Sequence, residues 1–188
     1  MECINDKKLQ VNFVEQQEID RISNFLCYLT DKRKRIVNEH RKSLFKNAED
    51  HLIISLKTDN FDLLGKVIDI AIINLNGDIK LNTNVYIFSE VIYKLNEIIK
   101  NKNLVGFDLN KDIKILNHNI AMNNLDIKLD FYDKIDILRQ EEYIYNNNNI
   151  TFIGLYNLYN TYNNQYKFIN YSSIEYCKFY LEILKKSI

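Results

Sequence analysis

The sequence predicts an α/β domain preceded by a helical extension, and three observations support this. Residues 1–50 lack the apolar–polar alternation of strands, whereas short apolar runs suited to buried strands begin after His51. Farther along, the apolar run at Leu104 and Val105 breaks at a glycine and resumes with helical spacing, which indicates a strand, a tight turn and a helix. We therefore predict an N-terminal helical extension over residues 1–50 and an α/β domain over residues 51–188.

Composition limits the classes of protein that this chain can be. Its 188 residues suffice for one domain with a core of its own, and its net charge of zero gives no overall attraction to nucleic acid. No apolar run approaches the roughly 18 residues that a membrane helix needs, and no signal peptide is visible, so we expect a cytoplasmic protein without membrane contact. The widely spaced Cys3, Cys27 and Cys177 indicate neither a disulfide framework nor a zinc site.

Two helical patterns occupy the extension. The first carries apolar residues from Phe13 to Leu29 on one stripe, which is typical of an amphipathic helix that packs on another surface. The second runs from Asp31 to Ala48, has a narrow apolar stripe and is rich in basic residues. A basic face of this kind could follow the phosphates of a nucleic acid; the alternative is a solvated helix face, because residues 1–50 hold ten basic against nine acidic residues. The candidate nucleic-acid-binding residues are Lys32, Arg33, Lys34, Arg35, Arg41, Lys42 and Lys46.

Three strands are predicted to follow the extension. Leu52 to Leu56 forms a short apolar run suited to a buried strand, and it ends at the turn-forming Thr58-Asp59-Asn60. Lys66 to Leu75 is a second apolar run. Asn76-Gly77 directly after it is a strong hairpin signal, so Asp78 to Tyr86 should return as an antiparallel third strand.

Helices and strands alternate through the rest of the chain. Ser89 is placed to cap a helix over Glu90 to Lys100. The strand at Leu104 and Val105 leads into a helix whose first turns carry Asp112, close to the strand's carboxyl end, where ligands gather in open α/β sheets. The remaining predicted elements are a fifth strand within Ile127 to Leu138, a helix from Ile150 to Asn160 and a final helix from Ser172 to Lys186.

The segment from Leu104 to Leu116 reads LVGFDLNKDIKIL. It resembles LVGHNxxFDxxFL, a segment of the DEDD-type 3′–5′ exonucleases, with Phe107-Asp108 and Lys111 where the family has His-Asn and Phe. The resemblance, which spans about residues 51–186, implies a ribonuclease H-like fold with a mixed five-stranded sheet and flanking helices. It also places Asp112 at a metal-ligand position of the family.

The family hydrolyses phosphodiesters with two metal ions, held by four acids from three motifs and served by a general base. The segment IISLKTDN resembles the family's FDLETTG and aligns Ser55 and Lys57 with the Asp and Glu of the first motif. Neither a hydroxyl nor an ammonium group replaces a carboxylate ligand. In the last motif, Asn170 stands at the position of the general base and Glu175 at that of the acid, and Asn cannot take up a proton.

Loss of these groups leads us to expect a catalytically inactive exonuclease-like domain that binds single-stranded nucleic acid or a protein partner. We expect no cofactor: Asp112 and Glu175 could hold one weakly bound cation, and Lys57 would lie between them as a counter-ion. One alternative is an active 3′–5′ exonuclease that uses Mg²⁺ or Mn²⁺ at a rearranged site. Another is a purely structural interaction module assembled through the Phe13 to Leu29 stripe or the tyrosine-rich residues 156–168.

Overall fold

The structure is a computed structural model that describes residues 3–60, 63–147, 150–151 and 172–186, with backbone alone for residues 3–15. Among the described helices, none is both long enough and apolar enough to cross a membrane. A short 3₁₀ segment, Phe45–Asp50, joins the first helix to the first strand. The elements are α1 (Cys3–Leu44), β1 (His51–Thr58), β2 (Val67–Asn74), β3 (Ile79–Asn84), α2 (Phe88–Ile99), β4 (Asn103–Gly106), α3 (Leu109–Met122), β5 (Asp133–Asp136), α4 (Ile137–Tyr145) and α5 (Ser173–Lys185).

The five strands form one mixed sheet in the order β3-β2-β1-β4-β5, which confirms the predicted α/β class. Strands β1, β2 and β3 pair antiparallel, whereas β4 and β5 run parallel to β1. The predicted Asn76-Gly77 turn joins β2 to β3, and Gly77 adopts φ +95°, a conformation that glycine reaches without a steric penalty. Because β1, β4 and β5 run in one direction, their carboxyl ends meet at one edge of the sheet.

Each face of the sheet is covered by helices. Successive residues of a strand point to opposite faces, so β1 contributes to two separate cores. Leu52 and Ile54 pack under α2 and α3, whereas Ile53 packs under α5. Ser55 and Lys57 share the face of Ile53, and they therefore lie on the side of the sheet that α5 covers.

A single helix replaces the two that the sequence patterns predict in the extension. The helix α1 runs unbroken through 42 residues because the chain has no proline and no glycine before Gly65 to interrupt it. Every residue from 16 to 28 is exposed. Toward its end, α1 packs against α4, and the buried Arg41 guanidinium binds the buried Glu141 carboxylate at 2.7 Å.

Three other boundaries differ from the predictions or lie outside the described residues. Helix α2 begins at Phe88, so Ser89 is its second residue and not its cap. The strand predicted within residues 127–138 is confined to β5, because the Asp136 carboxylate accepts the backbone N–H of Leu138 at 3.1 Å and starts α4 there. The final helix is confirmed, whereas the helix predicted over 150–160 falls almost entirely outside the described residues.

Candidate functional site

The carboxyl edge of the parallel strands gathers polar groups from the sheet and from α5. Asp112 lies in the first turn of α3, and its charge acts on both Cys177 and Tyr180 of α5. Tyr180 forms a side-chain hydrogen bond with Ser55 of β1. The fold therefore brings two of the residues singled out by the sequence, Ser55 and Asp112, to the same buried tyrosine.

Aromatic packing encloses this tyrosine. The ring of Tyr180 is only 6% exposed and stacks on Phe107 with a centroid distance of 6.1 Å and on Tyr176 with one of 6.4 Å. Phe107 stands where the exonuclease segment has histidine. The first residue after β4, Phe107, is therefore part of an aromatic stack with Tyr180. Burial, together with the charge of Asp112, raises the pKa of Tyr180 well above its ordinary value.

The surroundings of Asp112 shift the pKa of its carboxyl group upward. Burial raises its pKa well above the ordinary value, and the neighbouring charges of Asp108 and Asp136 raise it further. The cation that opposes this shift is Lys111. The attraction of Lys111 is too weak to offset the desolvation of the Asp112 carboxylate.

This raised pKa predicts how stability changes with pH. The folded state favours the protonated form of Asp112, so its contribution is present below about pH 4 and is lost as pH rises through the folded-state pKa. We therefore expect Asp112→Asn to gain stability over the unsubstituted protein as pH rises from 4 to 8. Urea denaturation at several pH values measures the difference.

A matched control is Asp133→Asn, which changes an exposed acid on β5. The same measurements on Asp133→Asn show what removing an exposed carboxyl group does over this pH range, and the effect of Asp112→Asn is judged against them. A difference between Asp112→Asn and the unsubstituted protein that does not change with pH would contradict the raised pKa of Asp112.

Asp136 connects the ends of two parallel strands. Its Oδ1 atom accepts the backbone N–H of Asp108 at 3.0 Å and that of Leu138 at 3.1 Å, which ties β5 to the turn after β4 and caps α4. Its Oδ2 atom is buried and has no hydrogen-bond partner among the described residues. Burial raises the pKa of Asp136, while the two backbone hydrogen bonds oppose that rise.

Neither Glu175 nor Lys57 acts on Asp112 in the way that the sequence predicts. The Glu175 carboxylate accepts the backbone N–H and the hydroxyl of Ser172, both at 2.8 Å, in a capping box that starts α5, and these bonds lower its pKa. The cation that acts on it is Lys178. Lys57 lies opposite Asp69 on β2, and no salt bridge joins it to an acid within the described part of the chain. The counter-ion role expected of Lys57 therefore falls to Lys111 at Asp112 and to Lys178 at Glu175. The last candidate, Asn170, lies outside the described residues.

An open depression of about 700 Å³ lies beside this cluster, at the start of α3. Its charged lining comprises three cations and one acid, which makes it electropositive. The Arg139 guanidinium also binds the Glu142 carboxylate at 2.5 Å, so part of its charge is offset. The lining residues are Leu63, Leu64, Asp108, Asn110, Lys111, Lys114 and Arg139.

The basic residues predicted to form one face of α1 fall into three groups in the structure. Arg41 is 1% exposed and serves the packing of α1 on α4, so it does not reach solvent. Arg33 and Lys34 lie over the rings of Tyr143 and Tyr145, at 5.9 Å and 5.8 Å from the ring centroids. The exposed members are Lys32, Arg35, Lys42 and Lys46.

The donor groups at this edge do not fit a pair of divalent cations. Hard cations need several convergent carboxylate oxygens. The strand positions that the exonuclease resemblance aligns with acidic ligands hold Ser55 and Lys57, and among the described residues no three His, Cys, Asp or Glu side chains are grouped to hold a metal ion. Comparison with known proteins adds no ligand set, since no protein-family model and no curated protein matches the chain.

The sequence analysis did not identify Cys177 and Tyr180 as residues of this site. The helical spacing in α5 identified Cys177 and Tyr180 only as candidates for packing, because nothing in that spacing shows which strand a buried tyrosine will meet. The segment that begins at Asp136 does carry a signal, since an acid directly after a strand and before a helical pattern is typical of a helix cap.

Proposed function

We propose that this chain is an exonuclease-like domain with a ribonuclease H-like fold that does not hydrolyse phosphodiesters and that binds single-stranded nucleic acid at the carboxyl edge of its sheet. Three antiparallel strands followed by two parallel ones, in the order β3-β2-β1-β4-β5, are the arrangement that such a fold requires. The position of Asp112, in the first turn of the helix after β4, supports the same proposal.

The proposal that catalysis has been lost depends on one observation, the burial of Ser55. Ser55 is 3% exposed and is hydrogen-bonded to Tyr180, itself 6% exposed. The strand position that the resemblance assigns to a metal-binding acid therefore belongs to the buried core between the sheet and α5. A hydroxyl committed to a buried phenol offers no site for a hydrated divalent cation.

Nucleic-acid binding is supported by the depression at the start of α3. Lys111, Lys114 and Arg139 line an open surface large enough for a phosphate and part of a nucleotide. The exposed side chains of Leu63 and Leu64 lie on the same surface and could contact a base. An extended single strand could therefore place its backbone on the cations and a base against the apolar side.

The experiment has two measurements. With 5′-labelled single-stranded DNA and RNA, we expect no shortening in Mg²⁺ or Mn²⁺. In fluorescence anisotropy, we expect binding that weakens steeply with salt, and a variant carrying Lys111→Ala, Lys114→Ala and Arg139→Ala should lose at least tenfold in affinity, because each lost phosphate contact lowers the salt-dependent attraction.

Two control variants locate the binding surface. Lys94→Ala with Lys100→Ala removes one exposed cation of α2 and one directly after it, and should leave the affinity unchanged. Removing Lys32, Arg35, Lys42 and Lys46 tests the basic face of α1 in the same way. Absence of binding at low salt would disprove the nucleic-acid proposal.

A metal-dependent nuclease with a rearranged site is the second candidate, and one observation favours it. The charges of Asp108 and Asp136 both act on Asp112 at the carboxyl edge. As the described residues stand, these acids are not grouped to hold a metal ion, so this candidate requires them to move together when the metal binds. Degradation of single strands in Mn²⁺ that disappears in Asp112→Ala, but persists in Asp133→Ala, would establish this candidate in place of the first.

A further inference from the structure

The N-terminal part of α1 carries an exposed apolar stripe. Ile19, Ile22, Phe25 and Leu26 are 55%, 53%, 59% and 56% exposed, which is far more than apolar side chains on a packed helix show. A helix without tertiary contacts is marginally stable in water. This part of α1 therefore gains stability from any partner that covers the stripe.

The stripe continues a surface that is already used for packing. Val37 and Leu44 lie eleven and eighteen residues beyond Leu26, close to three and five whole helical turns, so they share its side of α1. Both are buried, at 6% and 4% exposure, where α1 joins the domain. Helix α4 covers α1 as far as Lys34, which lies over the Tyr145 ring at the end of α4.

The spacing of the stripe is that of a helix-pairing seam. Ile19, Ile22, Leu26 and Leu29 follow one another at intervals of three, four and three residues, as positions a and d of two heptads do. Glu18 directly precedes Ile19, and Lys32 directly precedes Arg33, which stands at the next a position after the stripe, so both occupy g positions on one side of the seam. They lie fourteen residues apart, with opposite charges at the two ends of the stripe.

We propose that the stripe is covered by a second copy of this chain, with the two α1 helices paired antiparallel. In an antiparallel pair the g positions of the two helices face each other. If Ile19 packs on Leu29 of the second copy, then Glu18 faces Lys32 of that copy, and symmetry forms the same ion pair twice.

The parallel arrangement lacks this complementarity. There each g position faces the e position five residues later on the other helix, which brings Glu18 to Ser23 and Lys32 to Val37. Neither contact pairs opposite charges. Charge complementarity thus selects the antiparallel arrangement, and a seam of only two heptads implies a dimer that dissociates on dilution.

Sedimentation velocity over a range of protein concentrations tests the pairing. We expect the full chain to shift from monomer to dimer as concentration rises, and Leu26→Glu to remain monomeric because it places a charge in the seam. The matched control is Met122→Glu, which adds the same charge to another exposed apolar side chain, 68% exposed at the end of α3, and should dimerise normally.

A charge exchange tests the orientation. Glu18→Lys and Lys32→Glu should each weaken dimerisation, and mixing the two variants should restore it, because both ion pairs of a mixed antiparallel dimer are then of opposite sign. A chain that stays monomeric at every concentration overturns the proposal, and so does a dimer that Leu26→Glu leaves intact. A monomer whose melting temperature falls in Leu26→Glu shows that the chain's own residues cover the stripe, which also overturns it.

Discussion

Replacing Arg41 by methionine is expected to lower the free energy of unfolding by about 3–5 kcal/mol. The Arg41 and Glu141 side chains are both 1% exposed, and their ion pair at 2.7 Å joins α1 to α4. A second bond at 2.7 Å links the Arg41 Nε to the Gln140 side chain. Removing the guanidinium leaves the Glu141 carboxylate buried without its cation, and that uncompensated charge accounts for most of the loss.

Urea denaturation measures this loss of stability, and two further variants show which interaction causes it. Lys42→Met changes the exposed neighbour on the same helix and should alter stability by less than about 0.5 kcal/mol. The double variant Arg41→Met with Glu141→Leu removes both charges and should recover most of the lost stability, since burying a matched ion pair is often no better than burying apolar groups. A double variant as unstable as the single one would show that the pair itself, and not the orphaned charge, provides the stability.

The second large effect is expected from Asn119→Ala, which should cost about 3 kcal/mol. Asn119 is 6% exposed and lies on α3, facing the chain that enters β2. Its side-chain amide donates to the carbonyl oxygens of Gly65 and Ile115, both at 2.9 Å, and its oxygen accepts the N–H of Val67 at 3.2 Å. Alanine would leave buried backbone groups of Gly65 and Val67 without partners.

Thermal and urea denaturation measure the loss, with Asn117→Ala as the matched control because it makes the same change at an exposed position of α3. The segment that Asn119 holds leads back to Leu63 and Leu64, which line the electropositive depression. We therefore also expect Asn119→Ala to weaken nucleic-acid binding in the anisotropy assay, at a temperature where the variant remains folded. Equal stability of the Asn117 and Asn119 variants would contradict a bridging role for Asn119.

Local patterns predicted most of the described elements because each depends on residues close in sequence. Apolar runs located β1, β2 and β4, and the Asn76-Gly77 pair located the hairpin between β2 and β3. The patterns failed where two local signals compete. Ser89 resembled a cap, yet α2 begins at Phe88, and the apolar residues after Asp136 belong to α4 although they also suit a strand.

The sequence by itself determined the α/β class and the apolar stripe from Phe13 to Leu29, and it carried the resemblance that aligns Ser55 and Lys57 with acids, since all of these depend on residue type and spacing. Only the tertiary structure decided that Ser55 meets Tyr180, that Arg41 is buried against Glu141 and that Asn119 bridges to Gly65. Those partners are separated by 54 to 125 positions in the chain. Which of them meet depends on how the helices pack against the two faces of the sheet, and no local pattern contains that information.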